Sequence, residues 1–162
     1  MAQVIKIDGA YKLPDDVLNK PQGSRFDFIF ANGVWARSTG GESVSGTGSM
    51  MTNTVLYRNQ LGQYISSFKG DRLKFFDAPC GDLNWIKEFF LNVDYIGGDI
   101  SGDLIEHLRK KYPTVDLQKF DITTDRFPDA DVWHCRHCLF HLSLPDIFLA
   151  LENFSASKII LS

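Results

Sequence analysis

Three aspartates stand where apolar, strand-like runs give way to turns: Asp77 after Leu73-Lys74-Phe75-Phe76, Asp99 after Tyr95-Ile96-Gly97-Gly98, and Asp121 after the run that closes on Phe120. Carboxylates at the ends of successive parallel strands face one crevice, where they can accept hydrogen bonds from ligand hydroxyls. Asp99 lies 22 residues beyond Asp77. At that spacing an acid on the second strand can take both hydroxyls of a ribose bound over the first turn. The pattern points to a nucleoside-containing cofactor.

The first turn, Asp77-Ala78-Pro79-Cys80-Gly81-Asp82, narrows the choice. A pyrophosphate needs several glycines, so that backbone N–H groups and a helix N-terminus can surround it, and neither G-x-G-x-x-G nor G-x-x-x-x-G-K-[ST] is present. Gly81 stands alone, and Asp82 sets a negative charge where phosphates would sit. A cofactor ending in an amino acid, with an ammonium group and no phosphates, fits better.

A second group lies at His134, Cys135, His137, Cys138 and His141, where C-x2-C and zinc-like spacings overlap. His134 and Cys135 are neighbours in a strand and point to opposite faces, and no second ligand pair lies elsewhere, so no metal site is expected. His137 and His141 follow the strand end and can face the crevice as general bases, with a polar closure of the loop as the structural alternative. Trp85 and Trp133 read as core residues rather than as ligand platforms.

Alternating strands and helices must position these groups. Leu73 to Asp77 is the first core strand, followed by a helix over 83–91 that Asp82 caps. A second strand covers 94–100, a helix capped by Ser101 runs to about Tyr112, and strands at 115–120 and 130–135 follow. A helix starting at Ser143-Leu144-Pro145-Asp146 and a fifth strand, Lys158 to Leu161, complete the pattern. The fold class is therefore α/β, a doubly wound and mostly parallel sheet.

Upstream, residues 1–70 read as an N-terminal arm packing on the 71–162 core, the whole forming one globular domain. Val4 to Ile7 is strand-like, Pro14, Pro21 and Gly23 act as breakers, and a helix covers 52–68. The Gly/Ser-rich stretch 40–49 admits two readings, a flexible linker or a loop folded over a ligand.

The composition, 44% hydrophobic with a formal net charge of -3, suits one packed core and gives no global attraction to nucleic acid or anionic membrane. No run reaches a membrane span or a signal-peptide apolar region, and three cysteines are too few and too odd for a disulfide framework. A cytoplasmic protein is expected.

Asp77-Ala78-Pro79-Cys80-Gly81-Asp82 resembles the first motif of the class I S-adenosylmethionine-dependent methyltransferases. Tyr95-Ile96-Gly97-Gly98-Asp99-Ile100 is similar to their second motif, Phe120-Asp121-Ile122 to their third, and Asp131 to Leu142 to their fourth-strand motif. Glu42-Ser43 to Gly48-Ser49 before Tyr57-Arg58 is similar to an uncharacterised bacterial and phage subgroup. Pro79 and Leu83 stand where that family commonly has glycines, and the chain stops short of its final antiparallel strand pair.

The resemblance implies a Rossmann-like fold, S-adenosylmethionine as cofactor, and methyl transfer to an acceptor such as a small molecule or saccharide. It implies that Asp77, Ala78, Pro79, Cys80, Gly81 and Asp82 form the cofactor turn, the methionyl part lying over Asp77 to Gly81. Asp99 would bind the ribose and Ile100 would pack on the adenine, whose edge Asp121 and Ile122 would meet. Cys135 and Arg136 would border the methionyl end through their backbone. The open apolar edge of the fifth strand calls for a cover, either the N-terminal seventy residues or a second subunit in a homodimer, unless the chain is a fragment or reduced version. Two other classes fit less well: a non-catalytic cofactor-binding or interaction module, and an NAD-dependent oxidoreductase.

Overall fold

The chain begins with a short antiparallel pair, β1 (Ile5–Ile7) and β2 (Ala10–Lys12), then α1 (Asp15–Leu18) and α2 (Gln22–Ala31). Pro14 and Pro21, expected as breakers, are the N-caps of these two helices. Proline suits a helix start because it has no N–H to leave unpaired there and its φ is already fixed. After α2 come two 3₁₀ turns, Ala36–Ser38 and Thr47–Ser49, then α3 (Val55–Ser67). The computed structural model describes residues 4–7, 10–154 and 158–161.

The core follows as β3 (Leu73–Asp77), β4 (Val93–Asp99), α4 (Gly102–Lys111), β5 (Asp116–Lys119), β6 (Val132–Cys135), α5 (Leu144–Asn153) and β7 (Lys158–Leu161). The five strands form one sheet in the order β5-β4-β3-β6-β7, and every neighbouring pair is parallel. Strand order reverses between β3 and β6. Ligands of open α/β sheets bind outside the carboxyl ends of the strands at such a switch point.

Alternation along the strands separates two apolar layers. Phase one carries Phe75 and Tyr95, which pack with Leu61 and Ile65 of α3 and with Leu104, Ile105 and Leu108 of α4. Phe76 and Trp133 face the other side and pack with Phe120, Phe127 and Ala150 of α5. Helices cover both faces, so the sheet is doubly wound. Burying each of the largest of these side chains contributes roughly 1.5–3 kcal/mol.

Two helical expectations change. In place of a helix over 83–91 there is only a 3₁₀ turn, Ile86–Phe89. Leu83 has a positive φ of 60°, and the Asp82 carboxylate accepts the Asn84 N–H at 3.2 Å, which closes a local turn rather than capping a helix. Leu83, Trp85 and Ile86 are all buried, a pattern without a single helical face. The second helix, expected over 52–68, is α3 at Val55–Ser67, with Leu61 and Ile65 buried and Val55 and Leu56 exposed.

The Ser101 and Ser143 caps are present, each hydroxyl accepting the N–H three residues on. Among the described residues no helix is long and apolar enough to cross a membrane.

Candidate functional site

A cavity of about 580 Å³ opens over the carboxyl ends of β3, β4 and β6. Its floor is the turn after β3, and its first wall is the end of β4. There Asp99, only 7% exposed, holds that turn in place: the Gly81 N–H donates to Oδ2 at 3.1 Å and the Ser101 N–H to Oδ1 at 3.0 Å. A carboxylate has about four acceptor positions, so each oxygen keeps one for a ligand. Burial pushes the Asp99 pKa up to about 6, the two backbone N–H groups oppose that rise, and the nearby Asp77 and Asp27 add to it.

Asp121 lies on the same cavity beyond β5, its Oδ1 accepting both the N–H (2.9 Å) and the hydroxyl (2.6 Å) of Thr123. Asp77 is engaged differently. Its Oδ1 lies 2.5 Å from His134 Nδ1, and its Oδ2 accepts the Tyr95 hydroxyl at 2.6 Å. His134 Nε2 in turn lies 2.7 Å from the Tyr57 hydroxyl, so a polar chain ties α3 to β6, β3 and β4 beneath the cavity. Such a chain holds its members in fixed orientations.

The Gly/Ser-rich stretch is the second wall, and the flexible-linker reading does not hold for it. Asp82 Oδ2 accepts the Val44 N–H at 2.7 Å, and the Asp82 N–H donates to Ser45 Oγ at 2.9 Å. Asn84 Nδ2 donates to Glu42 Oε1 and to the Ser49 carbonyl. These bonds fasten the loop to the β3 turn and bring Ser45 to Ser49 onto the cavity. Glycine is required where the two meet: a Cβ on Gly48 would lie 2.3 Å from His137 Nδ1, and one on Gly81, whose φ is +55°, 2.6 Å from Ser45 Oγ.

The third wall comes from α2 and the segment after it. Phe26, Ile29, Phe30 and Trp35 line the cavity. Asp27 fastens this wall by accepting the Ser101 hydroxyl at 2.7 Å and the Asp103 N–H at 3.2 Å. Trp35 stacks on His141 with ring centroids 5.3 Å apart, and Phe26 meets both rings edge-on. Burial holds the pKa of His141 below the ordinary histidine value, and His137 is lowered by burial, by Arg136 and by His141. Neutral imidazoles at the cavity can accept a proton.

Of the residues picked from sequence, Asp77, Pro79, Cys80, Gly81, Asp99, Ile100, Asp121, Ile122, Arg136, His137 and His141 line this one cavity. Ala78, Asp82 and Cys135 stand off it. Ala78 and Cys135 are buried in the layer around Phe76, and Asp82 is spent on the loop. The Cys80 thiol is pushed up by burial and by neighbouring carboxylates, which suits it to packing rather than to nucleophilic attack.

Trp133 is core, as expected, its Nε1 donating to the Ala78 carbonyl at 2.8 Å. Trp85 does line the cavity. The α2 wall was missed by sequence reasoning, although Phe26, Ile29 and Phe30 sit at helical i, i+3, i+4 spacing. Among the described residues no three of His, Cys, Asp and Glu are grouped so as to hold a metal ion.

No protein-family model matches the sequence, and no curated protein is significantly similar to it. Solved structures do match. CalS10, an amino pentose methyltransferase from Micromonospora echinaspora with S-adenosylmethionine bound, superposes with a TM-score of 0.54 at 17% identity, over 69% of this chain and 56% of its own.

The fold is that of the S-adenosylmethionine-dependent methyltransferases. DhpI, in a complex with SAM and HEP, gives a TM-score of 0.54 at 14% identity, over 83% of this chain and 61% of its own. The sugar N-methyltransferase KedS8 from Streptoalloteichus gives 0.52 at 11% identity, over 64% and 45%. The chain thus spans between 45% and 61% of the length of these methyltransferase-fold proteins.

Proposed function

We propose that this chain binds S-adenosylmethionine in the switch-point cavity and transfers its methyl group to a small-molecule acceptor, with saccharides among the candidates. The observation that carries this reading is the Asp99 carboxylate. It is buried at the end of β4, fixed by the Gly81 and Ser101 N–H groups, and left with acceptor capacity toward a cavity of about 580 Å³.

S-adenosylmethionine, when bound, supplies a methyl group on a positively charged sulfur. Asp99 would accept the ribose hydroxyls, Ile100 and Ile122 would pack against the adenine, and Asp121 would take a hydrogen bond at its edge. The turn from Asp77 to Gly81 would hold the amino-acid end. His141 and His137, neutral and beside the aromatic wall of Phe26 and Trp35, would take a proton from an acceptor that has one to lose. Closure by the 43–49 loop and the α2 wall would exclude water and align acceptor with methyl, which supplies much of the acceleration in such a transfer. The sugar methyltransferases that share the fold support a small acceptor.

Titration calorimetry with S-adenosylhomocysteine tests the binding step. Micromolar affinity that Asp99→Ala weakens by about 1–3 kcal/mol is expected; no binding to the wild-type chain would overturn the reading. Binding without methyl transfer to any component of a small-molecule extract would assign the chain to non-catalytic cofactor binding. Thermal stabilisation by NAD instead would assign it to hydride chemistry. A second copy covering the free edge of β7 is a further part of the proposal, tested by sedimentation velocity.

A further inference from the structure

Among the described residues one Arg or Lys side chain, that of Arg136, lines this acid-rimmed cavity, and nothing in the scheme above uses it. Arg136 stands two residues beyond His134, the partner of Asp77 in the β3-β6 register; it lines the same cavity as the floor turn and lies within electrostatic reach of Asp77. Its Cζ is 5.1 Å from the centre of the Tyr57 ring and 5.5 Å from that of Trp85, two rings set nearly perpendicular to each other. Its Nη1 donates to the Gly48 carbonyl at 2.9 Å. Two aromatic rings and one carbonyl therefore fix the plane and direction of the fork.

Much of that fork is unspent. A guanidinium carries five N–H donors, and Nε is buried without an acceptor. A buried donor left unpaired is costly, and such a group in a native site calls for an explanation, with a ligand, an ion or a water as the candidates. Among the described residues no carboxylate forms an ion pair with Arg136. The carboxylate whose charge acts on it, Asp77, is held by His134 and Tyr95. Burial also lowers the Arg136 pKa, the direction expected of a cation awaiting a negative charge.

Charge around the cavity is thus divided. Asp99 and Asp121 lie at the β4 and β5 ends, and Arg136 lies beyond β6 next to the Asp77–Gly81 turn. An amino-acid end laid over that turn carries a carboxylate as well as an ammonium group. We propose that the Arg136 guanidinium, clamped by Tyr57 and Trp85, binds the carboxylate of the cofactor's amino-acid end and so sets the direction in which the cofactor lies. A carboxylate matches the planar fork through two parallel N–H bonds, which a lysine cannot reproduce. The inference rests on the cofactor reading of the cavity and adds to it the residue that reads one end.

The experiment compares two ligands on the full chain by calorimetry: S-adenosylhomocysteine, and 5′-methylthioadenosine, which keeps the nucleoside and sulfur but lacks the amino-acid end. The wild-type chain should prefer S-adenosylhomocysteine. Arg136→Met keeps an apolar stem between the two rings, and it should weaken S-adenosylhomocysteine about 10–100-fold while changing methylthioadenosine by less than about threefold. Arg136→Lys, with charge but no fork, should fall between.

An equal loss for both ligands would mean that Arg136 only supports the pocket and would overturn the proposal. So would no loss for either ligand, which would leave the fork to an anionic acceptor instead. If the wild-type chain binds methylthioadenosine but shows no preference for S-adenosylhomocysteine, the cavity reading stands and the Arg136 inference fails. If it binds neither, both fall.

Discussion

At the scale of single residues, the acid at the end of β4 carries the sharpest pH dependence. Asp99 accepts ribose hydroxyls as a carboxylate, and its pKa stands at about 6 because it is buried. Affinity for S-adenosylhomocysteine should therefore be highest above pH 7 and fall as pH drops through 6, a trend that Asp99→Asn abolishes; calorimetry between pH 5 and 8 reads it. The effect on stability has the opposite sense. A carboxyl whose folded pKa lies above its unfolded value binds its proton more tightly when folded, so stability declines as pH rises from about 4 to about 6. Asp99→Asn relieves that burial but loses an acceptor for the Gly81 or Ser101 N–H, two opposed effects of a few kcal/mol at most. Its thermal midpoint should stay close to wild type while its ligand affinity falls. At the other wall, His141→Gln should lower methyl transfer to a proton-bearing acceptor about 10²–10⁴-fold and leave S-adenosylhomocysteine affinity within about threefold. Asp99 was legible in the sequence from its type and its place at a strand end, and His141 from its type and its place in the segment that follows one. The partners that tune them were not, since Trp35 and Asp27 are remote in sequence and act on them only in the fold.

At the scale of elements, the loop over residues 43–49 is held by side chains rather than by secondary structure. The Asp82 carboxylate accepts the Val44 N–H, and Ser45 accepts the Asp82 N–H. Asp82→Ala removes both the Val44 and the Asn84 acceptor while leaving the buried core intact. The amides of residues 43–49 should then exchange faster by about tenfold or more in hydrogen-exchange mass spectrometry, with ligand affinity lowered and the sheet amides unchanged. Gly48→Ala forces a methyl group into His137, whose own φ is +51°. The ring must move, so methyl transfer should fall further than cofactor affinity. Composition alone left this loop between a linker and a lid. What decided it are the Asp82 and Asn84 bonds, which exist only because the turn after β3 lies beneath it. The absent helix over 83–91 has a similar origin: its apolar residues satisfy a helical count, but Leu83 turns the chain before the helix can begin.

At the scale of the whole molecule, the sheet and its two apolar layers set stability. Phe76 is wholly buried and meets Phe120 and Phe127 edge-on at 4.8 and 5.6 Å. Phe76→Ala should cost about 3–5 kcal/mol in urea unfolding, a large share of the roughly 5–15 kcal/mol typical of a domain, and lower the urea midpoint accordingly. The succession of the five core strands, the parallel sheet they form, and the acids at the strand ends were determined by the sequence alone. Local patterning along each segment is enough to specify them, because periodicity, caps and breakers act over a few residues. The reversal of strand order between β3 and β6 could be expected from the class of fold. Only the tertiary structure decided which side chains close the cavity above it. The α2 wall, the fastened loop, the Asp77–His134–Tyr57 chain and the ring-clamped Arg136 all join residues tens of positions apart, and such contacts depend on packing that no local pattern encodes.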